Sequence, residues 1–212
     1  EIEKSDYAVI MKDCQVLITL PKMKTHVQMG FTGALKNQFG LIPGSAKGQY
    51  HFRFQNRDLL ADLMIDINRL ARPALAIMDG IVAMEGQGPS GGHPRTVGAL
   101  LASTDLAAVD VVACHLIGLD PDCNPMNLAA RRADFGATRL EDIELYGFPM
   151  ESLRVPDFKL VKIPANIMRI LPLPRSLLRW LRRQVADRPV IRRNLCIGCH
   201  RCSKGCPVSP AA

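Results

Sequence analysis

The chain has 212 residues, 48% of them hydrophobic and 5% aromatic, with 27 Lys and Arg against 20 Asp and Glu for a net charge of +7. A chain of this length buries a core without disulfides or metal, and its 22% of charged residues excludes a fibrous or wholly disordered polymer. The positive charge is local: residues 159–193 hold ten basic side chains against one acid, Asp187, for +9, while the remainder holds 17 basic against 19 acidic, for −2.

Residues 15–20 are an apolar run stopped by Pro21 and read as a buried strand. Residues 29–39 read as a helix weakened by Gly30 and Gly33, and Pro43-Gly44-Ser45 as a loop. The clearest helix spans 58–70, with Leu59, Leu60, Leu63, Ile67 and Leu70 on one face and Asp58, Asp62 and Asp66 on another. Residues 74–78 predict a second strand ended by Asp79-Gly80, residues 85–92 a glycine-rich loop, and residues 97–102 a third strand. A helix over 106–117 follows, capped by Asp105 or Thr104, then one over 124–135 with Pro125 in its first turn, and a short strand over 143–146. Alternating strands and helices predict an α/β domain over 1–154, a largely parallel sheet flanked by helices.

Residues 155–193 differ in composition, and their prolines and arginines mark a linker. Within it, 175–187 has the spacing of an amphipathic helix, with Leu177, Leu178, Leu181 and Val185 on one side and arginines on the others. This helix either packs its leucines on the α/β domain or, with Trp180, touches an anionic membrane surface. With so few aromatic platforms, a nucleic-acid partner is disfavoured.

Residues 194–212 form a small cysteine module. Cys196, Cys199, Cys202 and Cys206-Pro207 make a C-x2-C-x2-C-x3-C-P run, the bacterial ferredoxin pattern for a 4Fe–4S cluster. Thiolates two residues apart can wrap one cubane, and Gly198 and Gly205 let the backbone approach it. A zinc knuckle or free thiols is the competing reading, but zinc sites usually pair two C-x2-C units across a longer spacer. In two-cluster ferredoxins the fourth cysteine of the run serves the other cluster, so the full-length protein is expected to hold two. The chain opens at Glu1 and stops six residues after Cys206, and both ends read as cut. Cys14, Cys114 and Cys123 are expected to be buried free thiols.

In the α/β domain, Lys22, Lys24 and His26 follow the first strand, with Lys36 close behind. Ligand sites of parallel sheets lie at strand carboxyl ends, so these residues either form a positive pocket for a small anion or are solvated lysines. Asp79 and Glu85 bracket a strand end, where an acid can bind a cation, act as a base, or simply belong to a turn. Asp105 and Asp110 flank a helix start, and capping alone accounts for Asp105.

Four segments carry a resemblance: Pro-Lys-Met-Lys-Thr-His at 21–26, Thr-Gly-Ala-Leu-Lys-Asn at 32–37, Asp-Gly-Ile-Val-Ala-Met-Glu-Gly-Gln-Gly-Pro at 79–89 and Ala-Ser-Thr-Asp-Leu-Ala-Ala-Val-Asp at 102–110. Together they resemble the family called domain of unknown function 362, over about residues 5–150, whose members often carry a C-terminal ferredoxin domain. The resemblance implies an α/β domain coupled to iron–sulfur clusters, with no settled reaction. It puts Lys22, Lys24, His26, Lys36, Asn37, Asp79, Glu85 and Asp110 among the candidate site residues. The expected function is electron transfer or other redox chemistry with a redox partner protein, in the cytoplasm, where an oxygen-sensitive cluster persists. The alternatives are a binding module with a structural cluster, docked on an acidic partner or membrane surface, and an enzyme whose chemistry lies wholly in the α/β domain.

Overall fold

A computed structural model describes residues 14–54, 56–162, 194 and 196–200. The chain divides into two compact units, residues 1–163 and 164–212. The 175–187 helix, Cys202 and Cys206 lie outside the described residues. Among the described residues no helix is long and apolar enough to cross a membrane.

The first unit is α/β with a mixed sheet. Its elements are β1 (Ile18–Thr19), β2 (Lys22–His26), β3 (Gly30–Thr32), α1 (Ala34–Asn37), α2 (Gly44–Arg53), α3 (Arg57–Ala71), β4 (Leu75–Gln87), β5 (Gly91–Ser103), α4 (Leu106–Leu116) and α5 (Pro125–Arg132). β1 and β2 run parallel to β4, with Ile18 opposite Leu75 and Lys22 opposite Asp79. β3 and β5 run the other way, β3 on β2 and β5 along β4 from Ala76–Ser103 to Gln87–Gly91. Helices α1, α3, α4 and α5 pack on one another, and α1 and α4 also meet the sheet. The core between them includes Met23, Phe31, Leu35, Leu60, Met64, Ile67, Met78 and Leu116, all essentially inaccessible to solvent.

Several local expectations are corrected. The glycine-rich stretch 85–92 is the tip of the β4–β5 hairpin rather than a free loop. In the β4–β5 ladder one residue of β4, Ile81, stands against two of β5, Val97 and Gly98, and at this point the buried phase of β4 shifts from Ala76, Met78 and Gly80 to Ala83 and Glu85. This break hid the long strand from a search for simple alternation. The run 29–39 is not one helix: β3 and the single turn of α1 share it, because extended Gly33 separates them. Helix α2 starts at Gly44, inside the expected loop. Residues 143–146 form no strand. In α3 the buried stripe is Leu60, Leu63, Met64 and Ile67, whereas Leu59 and Leu70 are more than half exposed at its margins. Asp105 caps α4 by accepting from the N–H groups of Ala107 and Ala108, and also accepts from Ala137.

One buried contact fixes α1. Asp110 of α4 accepts hydrogen bonds from the N–H groups of Ala34 at 2.5 Å and Leu35 at 3.2 Å. The carboxylate reaches them because Gly33 has no side chain: a Cβ there would lie 2.1 Å from Asp110 Oδ1 and 2.6 Å from the Phe31 ring. Burial pushes the Asp110 carboxyl up to about 7, while the two N–H donors act in the opposite direction.

Two outcomes follow from this contact. The folded carboxyl titrates above its ordinary 3.8, so the stabilisation present below that value is lost as pH rises from 3.8 to about 7. Denaturant unfolding across this window is expected to show that decline, and Asp110→Asn to remove its share of the slope; an unchanged slope refutes the assignment. Gly33→Ala is expected to cost about 1–3 kcal/mol, read as a lower denaturation midpoint.

Candidate functional site

Strand alternation puts Lys22, Lys24 and His26 on one face of β2 and Met23 and Thr25 on the other. The chain continues as strand through these residues instead of looping after β1, since Pro21 interrupts the run without ending the pairing with β4. The Pro21 carbonyl still accepts from the Asp79 N–H at 2.9 Å.

The structure sorts the expected site residues into separate groups. Lys22 donates to Asp79 Oδ2 at 2.7 Å, and both side chains are about half exposed (46% and 48%). The Lys22 hydrogen bond, with that from the Ile81 N–H to Asp79 Oδ1, holds the Asp79 carboxyl below its ordinary value. Asp79 thus stays ionised, neutralises Lys22 and pins the backbone at Ile81, where the β4–β5 register shifts. Glu85 is buried, and its carboxylate accepts from the Lys159 backbone N–H at 3.0 Å and faces Lys159 Nζ at 3.8 Å. The Gly86 N–H in turn donates to the Lys159 carbonyl. Glu85 therefore straps the segment around residue 159 to the hairpin. Asn37 donates to Thr19 Oγ1 at 2.8 Å and links α1 to β1. Asp110 holds the start of α1.

Lys24, His26 and Lys36 form the remaining group. His26 is buried, and its Nδ1 accepts from the N–H groups of Gln28 at 3.1 Å and Met29 at 3.3 Å. Burial, reinforced by Lys36, His51 and Lys24, lowers its titration to about 3, so the ring is neutral and carries its proton on Nε2. Lys36 is partly buried, with Nζ 6.0 Å from the centre of the Phe39 ring. Burial, with the charges of Lys24 and Lys47, pushes its ammonium down to about 8. His51 packs edge-on against Phe39 and is lowered by burial and by Lys36.

Lys47 and His51 escaped sequence reasoning because α2 was unread; their four-residue separation on one helix was the available signal. Thr32 opens the Thr-Gly-Ala-Leu-Lys-Asn segment, and nothing in the sequence marks its hydroxyl as special.

The cysteines divide by environment. Cys114 is buried, receives side-chain N–H groups from Asn124 at 3.6 Å and Asn127 at 3.8 Å, and is pushed by burial up to about 12. Cys14 and Cys123 are exposed free thiols, contrary to the expectation of burial. Cys196 and Cys199 are also free and exposed. Between and beside them, Gly198 (φ 67°) and His200 (φ 57°) are in the left-handed region. Among the described residues no group of three or more His, Cys, Asp or Glu side chains stands together as a metal site.

The family model described as "Domain of unknown function (DUF362)" matches residues 2–115. Thylakoid-associated protein sll1697 of Synechocystis sp. is 36% identical over 167 residues, which is 78% of this chain and 51% of that protein. The chain thus spans about half the length of the curated relative it matches. No solved structure matches it. The match over more than half of the chain, with the motifs of β2, α1, β4 and α4 in place, makes this protein a member of the DUF362 family.

Proposed function

We propose that this protein is an iron–sulfur protein of electron transfer or other redox chemistry, whose α/β unit binds a small anionic ligand. The C-x2-C-x2-C-x3-C-P run at 196–207 carries the reading. Four thiols at this spacing suit a 4Fe–4S cluster in their donor chemistry. Cys196 and Cys199 fit that use, being exposed and free of disulfides, and left-handed Gly198 turns the backbone between them. Such a cluster, when bound, passes single electrons to and from a redox partner protein. The chain supplies thiolate ligands, and its ten basic side chains at 159–193 favour a more negative partner or cluster state. Where such a run serves two clusters, as in two-cluster ferredoxins, its fourth cysteine, here Cys206, ligates the second. Lys24, Lys36 and the residues around them serve as the anion site, and Lys22, already neutralised by Asp79, stands outside it.

Protein purified without oxygen is expected to hold about four iron and four acid-labile sulfide per cluster and to give an EPR signal on reduction. Cys199→Ser is expected to lower the iron content and change that signal. Wild-type protein with no iron and no signal overturns the reading.

A second reading is favoured by the relative's printed name, thylakoid-associated, and by the +9 stretch. Here the cluster is structural and residues 175–187 dock on an anionic membrane surface. Vesicles rich in anionic lipid are expected to co-sediment the full chain at low salt and to release it as salt rises. No co-sedimentation at low or moderate salt removes this reading.

A further inference from the structure

Among the described residues, the group around Lys36 contains donors and no acid. Lys24, Lys36 and Lys47 make no ion pair among the described residues, whereas Lys22 and Lys159 each face a carboxylate. The charges that act on Lys36 come from Lys24 and Lys47, and those that act on His26 come from Lys36, His51 and Lys24. Like charges gathered at a partly buried place are unfavourable unless an opposite charge joins them.

A second observation lies on the same face. Thr32 stands directly opposite Lys24 in the β2–β3 register, so the two side chains share one side of the sheet. Thr32 is only 7% exposed, and its Oγ1 has no hydrogen-bond partner among the described residues. Buried hydroxyls are nearly always partnered, so this one is available to a ligand. His26 adds another donor, because its Nδ1 is occupied by two backbone N–H groups and its proton sits on Nε2.

We infer that Lys24, Lys36 and Lys47, with the Thr32 hydroxyl and the His26 imidazole, bind a dianionic phosphate group, as free phosphate or on a small phosphomonoester. This rests on the anion-site reading above and narrows it. A carboxylate brings one negative charge and two oxygens to three ammonium groups, a hydroxyl and an imidazole N–H. A phosphate brings about one and a half to two charges at neutral pH and three or four oxygens, which matches the number of donors better. Ammonium groups on flexible stems suit a tetrahedral anion, since they need no planar partner as arginine does.

Isothermal titration of the full chain, in phosphate-free buffer at constant ionic strength, tests this with inorganic phosphate, glycerol phosphate and acetate as probes. Saturable binding of phosphate or its ester, with acetate much weaker, is expected. Lys36→Met is expected to weaken binding by about tenfold or more and Thr32→Val by several-fold, while Lys22→Gln leaves it unchanged. Tighter binding of the ester assigns the phosphomonoester, and equal binding assigns free phosphate. Circular dichroism checks that each variant folds; if Lys36→Met does not, Thr32→Val decides. Acetate binding as tight as phosphate overturns the dianion while leaving the anion site standing. Phosphate binding that neither folded Lys36→Met nor Thr32→Val weakens overturns the assigned residues. No binding of any probe overturns both. The iron and sulfide content is independent of all these outcomes.

Discussion

The hydrogen bonds from Ala34 and Leu35 to the Asp110 carboxylate hold together the part of this protein that carries the candidate site. They join the first turn of α1 to the middle of α4, 76 residues away for the Ala34 contact. Because α1 is a single turn, it has too few internal bonds to hold its own direction. Asp110 supplies that direction, and with it the positions of Lys36 and Asn37. The absence of a Cβ at Gly33 is the steric condition for the contact. One glycine and one buried acid thereby decide where a lysine of that same turn points its charge.

The motif residues of the α/β unit divide into two kinds of work. Asp79, Glu85, Asn37 and Asp110 each satisfy a backbone or side-chain partner and build the scaffold. Lys24, His26 and Lys36 concentrate positive charge and donor groups. A buried carboxylate and an uncompensated ammonium attract attention equally in a sequence, and only the pairing separates them. The thiols divide in the same way. Cys114, sealed in the core, resists ionisation, whereas Cys196 and Cys199 are free and face solvent.

The long helices were legible because their signals are local. Apolar spacing marked α3, Asp105 marked the start of α4, and Asn124-Pro125 marked α5. Lys24, His26 and Lys36 were legible as a group because strand alternation and short chain separation suffice to gather them. The Lys22–Asp79 and Glu85–Lys159 pairs span 57 and 74 residues and depend on strand register and on a returning segment. No local pattern encodes either. Helix α2 has a weak apolar stripe between glycines, and the stretch at 143–146 has apolar residues with no strand beside them, so propensity misled in both places.

The irregular step at Ile81 has a further consequence for the length of the hairpin. Ile81 and Val82 both face outward, and this is the one point in β4 where alternation breaks. There β5 supplies two residues, Val97 and left-handed Gly98, against the single Ile81. One residue added to β4 beside Ile81 would pair with the extra residue of β5 and restore strict alternation, with Ala83 and Glu85 still facing inward. The strap at residue 159 would keep its anchor. The hairpin is thus one residue short of a regular ladder on its β4 side, and a glycine in β5 absorbs the difference.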